Sequence, residues 1–423
     1  MFTLTEMKNG LRIVTVPMKG MNSVSVGMWV KVGGRYEKDS LSGISHFIEH
    51  LVFKGTKKRN VKKIKEAIEG RGGALNAFTA EEATCYFVKI LKKHLATAID
   101  LVCDLAYNPL FKETDVEMER TVILEEIKMY MDLPSQYVHD LLNEVMWPGH
   151  PLGHSVLGSA ETISKMTRAD IRRYTREYYH NRNMLLMVCG DVTHEEVIRE
   201  AHSHVNQRRI GASSAFSGIK VTQTEPKMHL IEKDTEQTHF VLGYHTCSRC
   251  DERRYVLALL NIILGANMSS RLFEEVREKR GLAYEIRSGI SLFQDTGAFS
   301  ISAGVENGKA HAALKIIMRE LKKIADTKVS RGELRRAKDF YLGQLLLLFE
   351  GTMDNMLWYG EKILHRGQEG VPSIELITAR IEDISSDEIV AMAQEIFTRP
   401  RTNFVAIGKV PAPERKKIEQ LML

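Results

Sequence analysis

No stretch of this 423-residue chain approaches the ~18 continuous apolar residues that a membrane-spanning helix needs, so the sequence offers no such span. Cysteine is scarce. The five present are an odd, low number, with no sign of a disulfide framework. Cys85, Cys103 and Cys189 stand in apolar stretches and read as small core residues. Cys247 and Cys250 form a lone CxxC without a second ligand pair, too little for a redox or zinc assignment. An excess of one charge is missing too: 59 Lys and Arg against 54 Asp and Glu give a formal +5, and the two signs are intermixed. That pattern leaves no nucleic-acid footprint. The densest basic stretch, Lys54 to Lys65, includes Lys57, Lys58, Arg59, Lys62 and Lys63. It reads as a solvated loop and helix face, without the interleaved aromatics of a single-strand binder. The N-terminal stretch Met1 to Lys8 holds no long apolar run and an early acid, Glu6, unlike a signal peptide. A reduced, cytoplasmic protein is expected, with neither membrane nor nucleic acid as partner.

What is present is ordinary in bulk and specific in detail. Hydrophobic residues make up 43% and charged residues 27%, a globular composition, and the length suggests two to three domains. An internal echo organises the chain. Met166-Thr167-Arg168-Ala169-Asp170-Ile171 resembles Ile384-Ser385-Ser386-Asp387-Glu388-Ile389, which defines a fixed offset between the two halves. Both place Ser or Thr three residues before an acid and ahead of an apolar run, the signature of a helix start. At the same offset Tyr178-Tyr179 meets Ile396-Phe397 and Gly190 meets Gly408, each glycine closing an apolar strand. The alternating strand near Ser23 to Val32 has a counterpart near Thr238 to His245. The expected fold is α+β: two homologous repeats, each an antiparallel-rich mixed sheet covered by helices. The small, polar run from Ile210 to Gly218 suits a linker. The expected domains are 1–209 and 226–423, with 210–225 between them.

Only the first half carries a chemical constellation. Ser45-His46-Phe47-Ile48-Glu49-His50-Leu51-Val52 contains His-x-x-Glu-His. Wound at ~100° per residue, Ile44, Phe47, Ile48, Leu51 and Val52 form an apolar stripe, with His46 and His50 one turn apart on the opposite side. Two imidazoles at i and i+4 converge on one tetrahedral zinc, which prefers nitrogen donors at ~2.0–2.1 Å. A catalytic zinc needs a third protein ligand and an open position. The segment Glu117 to Ile127 is a carboxylate-rich helix that can supply the ligand, but spacing alone does not choose between Glu125 and Glu126. Glu119 and Glu126 share one face two turns apart, which allows one ligand and one acid orienting a histidine.

At these residues the sequence resembles the pitrilysin or insulinase family of metallopeptidases, the inverted zincins, and within it the processing-peptidase-like branch of bacteria and mitochondria. Gly43 to Thr56 resembles the family's metal-helix signature throughout, and Val122-Ile123-Leu124-Glu125-Glu126 its third-ligand segment. The resemblance, whose spacing from the second histidine is kept here, selects Glu126 as third ligand and Glu119 as the second acid. Gly73 to Thr79, with Glu82, Thr84 and Tyr86, resembles the strand beside the active site, which implies substrate contacts at Asn76 and Ala77. Gly149-His150-Pro151-Leu152-Gly153 resembles a family loop, so that His150 and His154 read as loop residues and not ligands. Ser270 to Tyr284 resembles the element whose Arg277 and Tyr284 engage substrate and the developing oxyanion.

The resemblance implies a zinc-dependent endopeptidase with one Zn²⁺ per chain, His46, His50 and Glu126 as ligands, and Glu49 as general base and later proton donor. It also implies a closed chamber of four such repeats, of which this chain supplies two. Two identical chains, or a paralogous pair, are expected to form it, with Arg277 and Tyr284 of one completing the zinc site of the other. The substrate is expected to be a peptide or unfolded polypeptide. Some relatives lack the metal set and serve as scaffold subunits, a reading that the intact set here disfavours; a subunit that captures peptides without cutting is the other alternative, and Glu49 argues against it.

Overall fold

The computed structural model describes residues 2–205, 211 and 215–422. Of the expected linker, residues 210 and 212–214 lie outside the described residues. The first half builds a six-stranded sheet from β1 (Thr3–Glu6), β2 (Arg12–Pro17), β3 (Ser23–Val30), β4 (Ala74–Thr79), β5 (Thr84–Leu91) and β6 (Met184–Gly190), in the order β1-β2-β6-β3-β5-β4. The second builds a five-stranded sheet from β7 (Lys227–Glu232), β8 (Gln237–Thr246), β9 (Ala283–Leu292), β10 (Gly297–Glu306) and β11 (Asn403–Gly408), in the order β7-β11-β8-β10-β9. Without β1 the two sheets share one plan. Each has a single parallel pair, β2 with β6 and β7 with β11, and antiparallel pairing elsewhere. The α+β fold of two repeats is therefore present.

The apolar run of β6 follows from cover on both faces. Met184, Leu186 and Val188 face one core with Phe47, Ile48, Leu51 and the helix Leu95–Tyr107. Leu185, Met187 and Cys189 face another with Met356, Tyr359, Ile363 and Leu364. A strand buried on both faces has no reason to alternate. Each such side chain, fully buried, contributes roughly 1.5–3 kcal/mol.

The cover over the second of those faces, Met356 to Leu364, comes from the other half of the sequence. The chain folds as two compact units: one holds 1–128, 154–217 and 346–373, the other 129–153, 218–345 and 374–423. The helix Thr352–Arg366 covers β3 and β6, while the helix Pro134–Met146 covers β8 and β11 through Val138, Leu141, Leu142 and Met146. Pro134 and Thr352 are separated by the same offset as Met166 and Ile384, so the repeats have exchanged equivalent helices. The compact units thus do not follow the boundaries 1–209 and 226–423 read from the sequence. Two sheets of one plan present similar bare faces, and a helix from either repeat can fill either. Close approach is built in at both places. A Cβ on Gly27 would collide with Met356 Sδ, and one on Gly243 would stand 2.6 Å from Leu142 Cδ1.

Among the described residues no helix is long and apolar enough to cross a membrane. All five cysteines are unpaired, with Cys85, Cys103 and Cys189 buried.

Candidate metal centre

The metal helix, Ile44–Val52, is short, and its position is fixed at its start. Gly43 sits at φ 91°, where a side chain is strained, and a Cβ there would meet the Leu157 carbonyl at 2.6 Å. No side chain at Gly43 caps the helix; Glu37 does so from an earlier turn, accepting the backbone N–H of Gly43 at 2.6 Å and of Ser45 at 2.8 Å. Burial pushes the Glu37 carboxyl up to about 7, with the two backbone donors working against that rise. Ile44, Phe47, Ile48, Leu51 and Val52 are buried in the core, turning His46 and His50 the other way.

Glu126 comes from the long helix Glu113–Met131, whose buried positions Val116, Glu119, Ile123 and Ile127 seat it against the same core. Glu126 Oε2 lies 3.8 Å from His46 Nε2 and 3.5 Å from His50 Nε2. The imidazole rings are 4.6 Å apart. Among the described residues these three side chains form the one group whose donor atoms all lie within 4.8 Å of one another and could hold a metal ion. Their separations suit ligands around a tetrahedral ion, ~3.3 Å apart for bonds of ~2 Å. Glu125, which spacing could not set aside, points out and pairs with Lys128 at 2.7 Å.

The surrounding hydrogen bonds aim the donors. Glu119 Oε2 meets His50 Nδ1 at 3.1 Å, which leaves His50 Nε2 for the cation position. Glu119 Oε1 meets Lys54 Nζ at 2.5 Å. Glu49 lies outside the three-donor group, and Thr79 of β4 donates to its Oε2 at 2.5 Å. His46 is drawn down to about 4 by burial and by His50, so its ring is a neutral donor through mild acid. At His50 burial is the largest influence and disfavours charge. The hydrogen bond with Glu119 and the charges of Glu126, Glu119 and Glu49 outweigh it and hold the ring above its ordinary value. Burial raises Glu49, helped by Glu126 and opposed by Thr79 and His50. A carboxyl raised in this way is a stronger base than an exposed one.

The remaining candidates divide by unit. Asn76 and Ala77 lie on β4, at the edge of the first sheet, with Asn76 exposed and its Oδ1 accepting from Ala77 N at 2.8 Å. Arg277 and Tyr284 belong to the second unit. The Arg277 guanidinium lies over the Tyr284 ring at 4.9 Å and the Phe273 ring at 4.6 Å, with Tyr284 77% exposed. In the loop, His150 Nδ1 accepts from Leu152 N at 3.1 Å. From the sequence Lys54 reads only as part of a solvated basic face and Thr79 only as part of the strand beside the site, while Glu37 has no role; the structure instead pairs Lys54 with Glu119. For Lys54 a signal existed: His46, His50 and Lys54 recur every fourth residue.

A repeated α+β plan, with a group of three donors in its first repeat that could hold a metal ion, defines the class. Residues 12–160, which contain that site, match the family described as Insulinase (Peptidase family M16), and 165–341 match the Peptidase M16 inactive domain. An uncharacterized zinc protease of Streptomyces coelicolor is 37% identical over 98% of this chain and 91% of its own length. The uncharacterized zinc protease YmxG of Bacillus subtilis is 32% identical over 92% and 94%. A protease from Helicobacter pylori of known structure superposes with a TM-score of 0.90 at 25% identity, over 96% of this chain and 99% of that one. The chain belongs to the pitrilysin and insulinase family of peptidases, M16.

Proposed function

We propose that this protein is a zinc-dependent endopeptidase that hydrolyses peptides or unstructured polypeptides. The observation that carries the reading is the convergence of His46, His50 and Glu126, with Glu49 beside them but outside the donor set. The donor set fits zinc, with two nitrogens, one oxygen and a position left open. His46, His50 and Glu126 would hold the ion, whose Lewis acidity would acidify a water and polarise a carbonyl. Glu49, anchored through Oε2 by Thr79, keeps Oε1 to take a proton from water and return it to the leaving amine. The strand β4, whose Thr79 holds Glu49, lies at the edge of its sheet, where an extended peptide would add as a further strand. Main-chain pairing of this kind accepts many sequences.

Two copies of the chain pair in this reading, and Arg277 with Tyr284 of one serves the zinc site of the other. The exposed, preassembled Arg277–Tyr284 stack supports it. Unpaired cysteines suit a reducing compartment such as the cytoplasm.

Metal analysis and cleavage of an unstructured fluorogenic peptide test the reading together. One zinc per chain, hydrolysis blocked by a chelator, and a Glu49→Gln variant that keeps zinc but loses turnover are expected. A metal-free, inert wild type would instead favour a scaffold or peptide-binding subunit. For the pairing, mixing Glu49→Gln with Arg277→Ala chains should restore part of the activity, and a mixture no better than either variant alone would count against it.

A further inference from the structure

We infer that Lys54 is a positioning residue for the metal centre: its ammonium fixes Glu119, and Glu119 in turn fixes the His50 ring. The inference rests on the zinc reading above and extends it to a residue outside the ligand set.

The geometry is a ladder between two helices. His46, His50 and Lys54 follow one another at intervals of four along and just past the metal helix, with Lys54 N bonded to the Leu51 carbonyl in a continuing turn. Opposite them, Glu126 and Glu119 stand two turns apart on the long helix. Glu126 approaches His46 and His50 at 3.8 and 3.5 Å, while Glu119 bridges His50 at 3.1 Å and Lys54 at 2.5 Å. Each carboxylate thus spans two successive members of the row.

The chemistry of Glu119 makes Lys54 necessary. Its side chain is 3% exposed, against 31% for that of Lys54. A buried carboxylate without a partner on each oxygen is costly. The last torsion of a glutamate is soft, so an oxygen that has lost its cation lets the group rotate toward other donors. The bond to His50 Nδ1 would then loosen, and with it the direction of Nε2. Lys54 reaches from the chain just beyond the helix C-terminus, where an ammonium also complements the carbonyl end.

The test uses the full chain and zinc alone as the probe, in competition with a chromogenic chelator at fixed pH. Loss of a group supporting a metal-bound histidine typically weakens metal affinity by about 10–100-fold. Lys54→Met, which keeps the stem and removes the charge, should bind zinc ~10-fold more weakly, and Lys54→Arg should stay within ~3-fold of wild type. Glu119→Gln should lose a similar factor, and adding Lys54→Met to it should cost little more, because both act through one contact. Thermal unfolding of the metal-free variants runs alongside. Wild-type zinc affinity in Lys54→Met overturns the inference, whether or not its metal-free stability falls; a fall would mark the pair as a bridge for the fold only. Fully additive losses in the double variant overturn it as well. His50→Ala is the control: zinc uptake that this change does not diminish would overturn the zinc reading itself and the inference with it.

Discussion

The two sheets of this protein share one plan and differ in chemistry. Between β3 and β4 the first repeat places the helix Ile44–Val52, which presents His46 and His50. Between β8 and β9 the second places Arg254–Leu264, RYVLALLNIIL, which contains neither histidine nor acid and buries nearly its whole length. The long helices Glu113–Met131 and Arg331–Leu348 start at equivalent points of the repeat, and in that register Glu119 and Glu126 meet Ala337 and Gln344. The same topology therefore holds a three-donor site once and apolar packing once. Fold sets where helices lie; four side chains on two of them decide whether there is a site.

The largest effects should come from breaking that difference. Glu49→Gln should lower peptide turnover by roughly 10²–10⁴ while zinc content stays at one per chain, as measured by elemental analysis beside kinetics. Gln344→Glu in the second repeat should change neither value, since no imidazole pair waits there. A second zinc on that variant would break the comparison.

Glu37 caps the buried start of the metal helix, whereas the helix Arg254–Leu264 has at its start Asp251, which accepts from Arg253 N at 2.8 Å. The Glu37 carboxyl is raised by burial, so the stability linked to it is full below its unfolded value near 4.5 and is lost as pH rises through about 7. Relative to Glu37→Gln, the wild type should lose on the order of 1–3 kcal/mol between pH 5 and 8. Parallel pH curves from denaturant titration would refute this.

The exchanged helices make a matched pair. Gly27→Val and Gly243→Val should each cost about 1–3 kcal/mol through overpacking against Met356 and Leu142. Similar midpoint shifts in thermal unfolding would show that the two exchanges are equivalent, and a neutral Gly243→Val would sharpen the contrast between repeats.

The last effect concerns protons on the candidate metal site. His50 is held above its ordinary 6.5 and His46 near 4, so competition for zinc begins at His50. Zinc affinity should be level above the His50 value and fall ~tenfold per pH unit below it, down to the His46 range. Chelator competition between pH 8 and 5 would show this, and an affinity flat to pH 5 would refute it.

Much of the centre is legible in one dimension because helical spacing is local. His46 and His50 are one turn apart, and a period of ~3.6 puts both on the side away from Ile44, Phe47 and Leu51. The choice of Glu126 over Glu125 was not local. The family resemblance made it, and its physical reason is the flank of the long helix buried by Val116, Ile123 and Ile127, which turns Glu126 toward the histidines and Glu125 outward. Thr79 is far from Glu49 along the chain, and only the pairing of β4 at the sheet edge brings the two together.

Sequence alone therefore determined the repeat, the apolar strands and the histidine pair, each a pattern with a short period that the backbone enforces. Tertiary structure alone decided the helix exchange, the Glu37 cap and the Lys54–Glu119–His50 row. Those are contacts between distant segments, and a distant segment is recruited by whatever buried face or charge is left unsatisfied. No spacing along the chain records that demand.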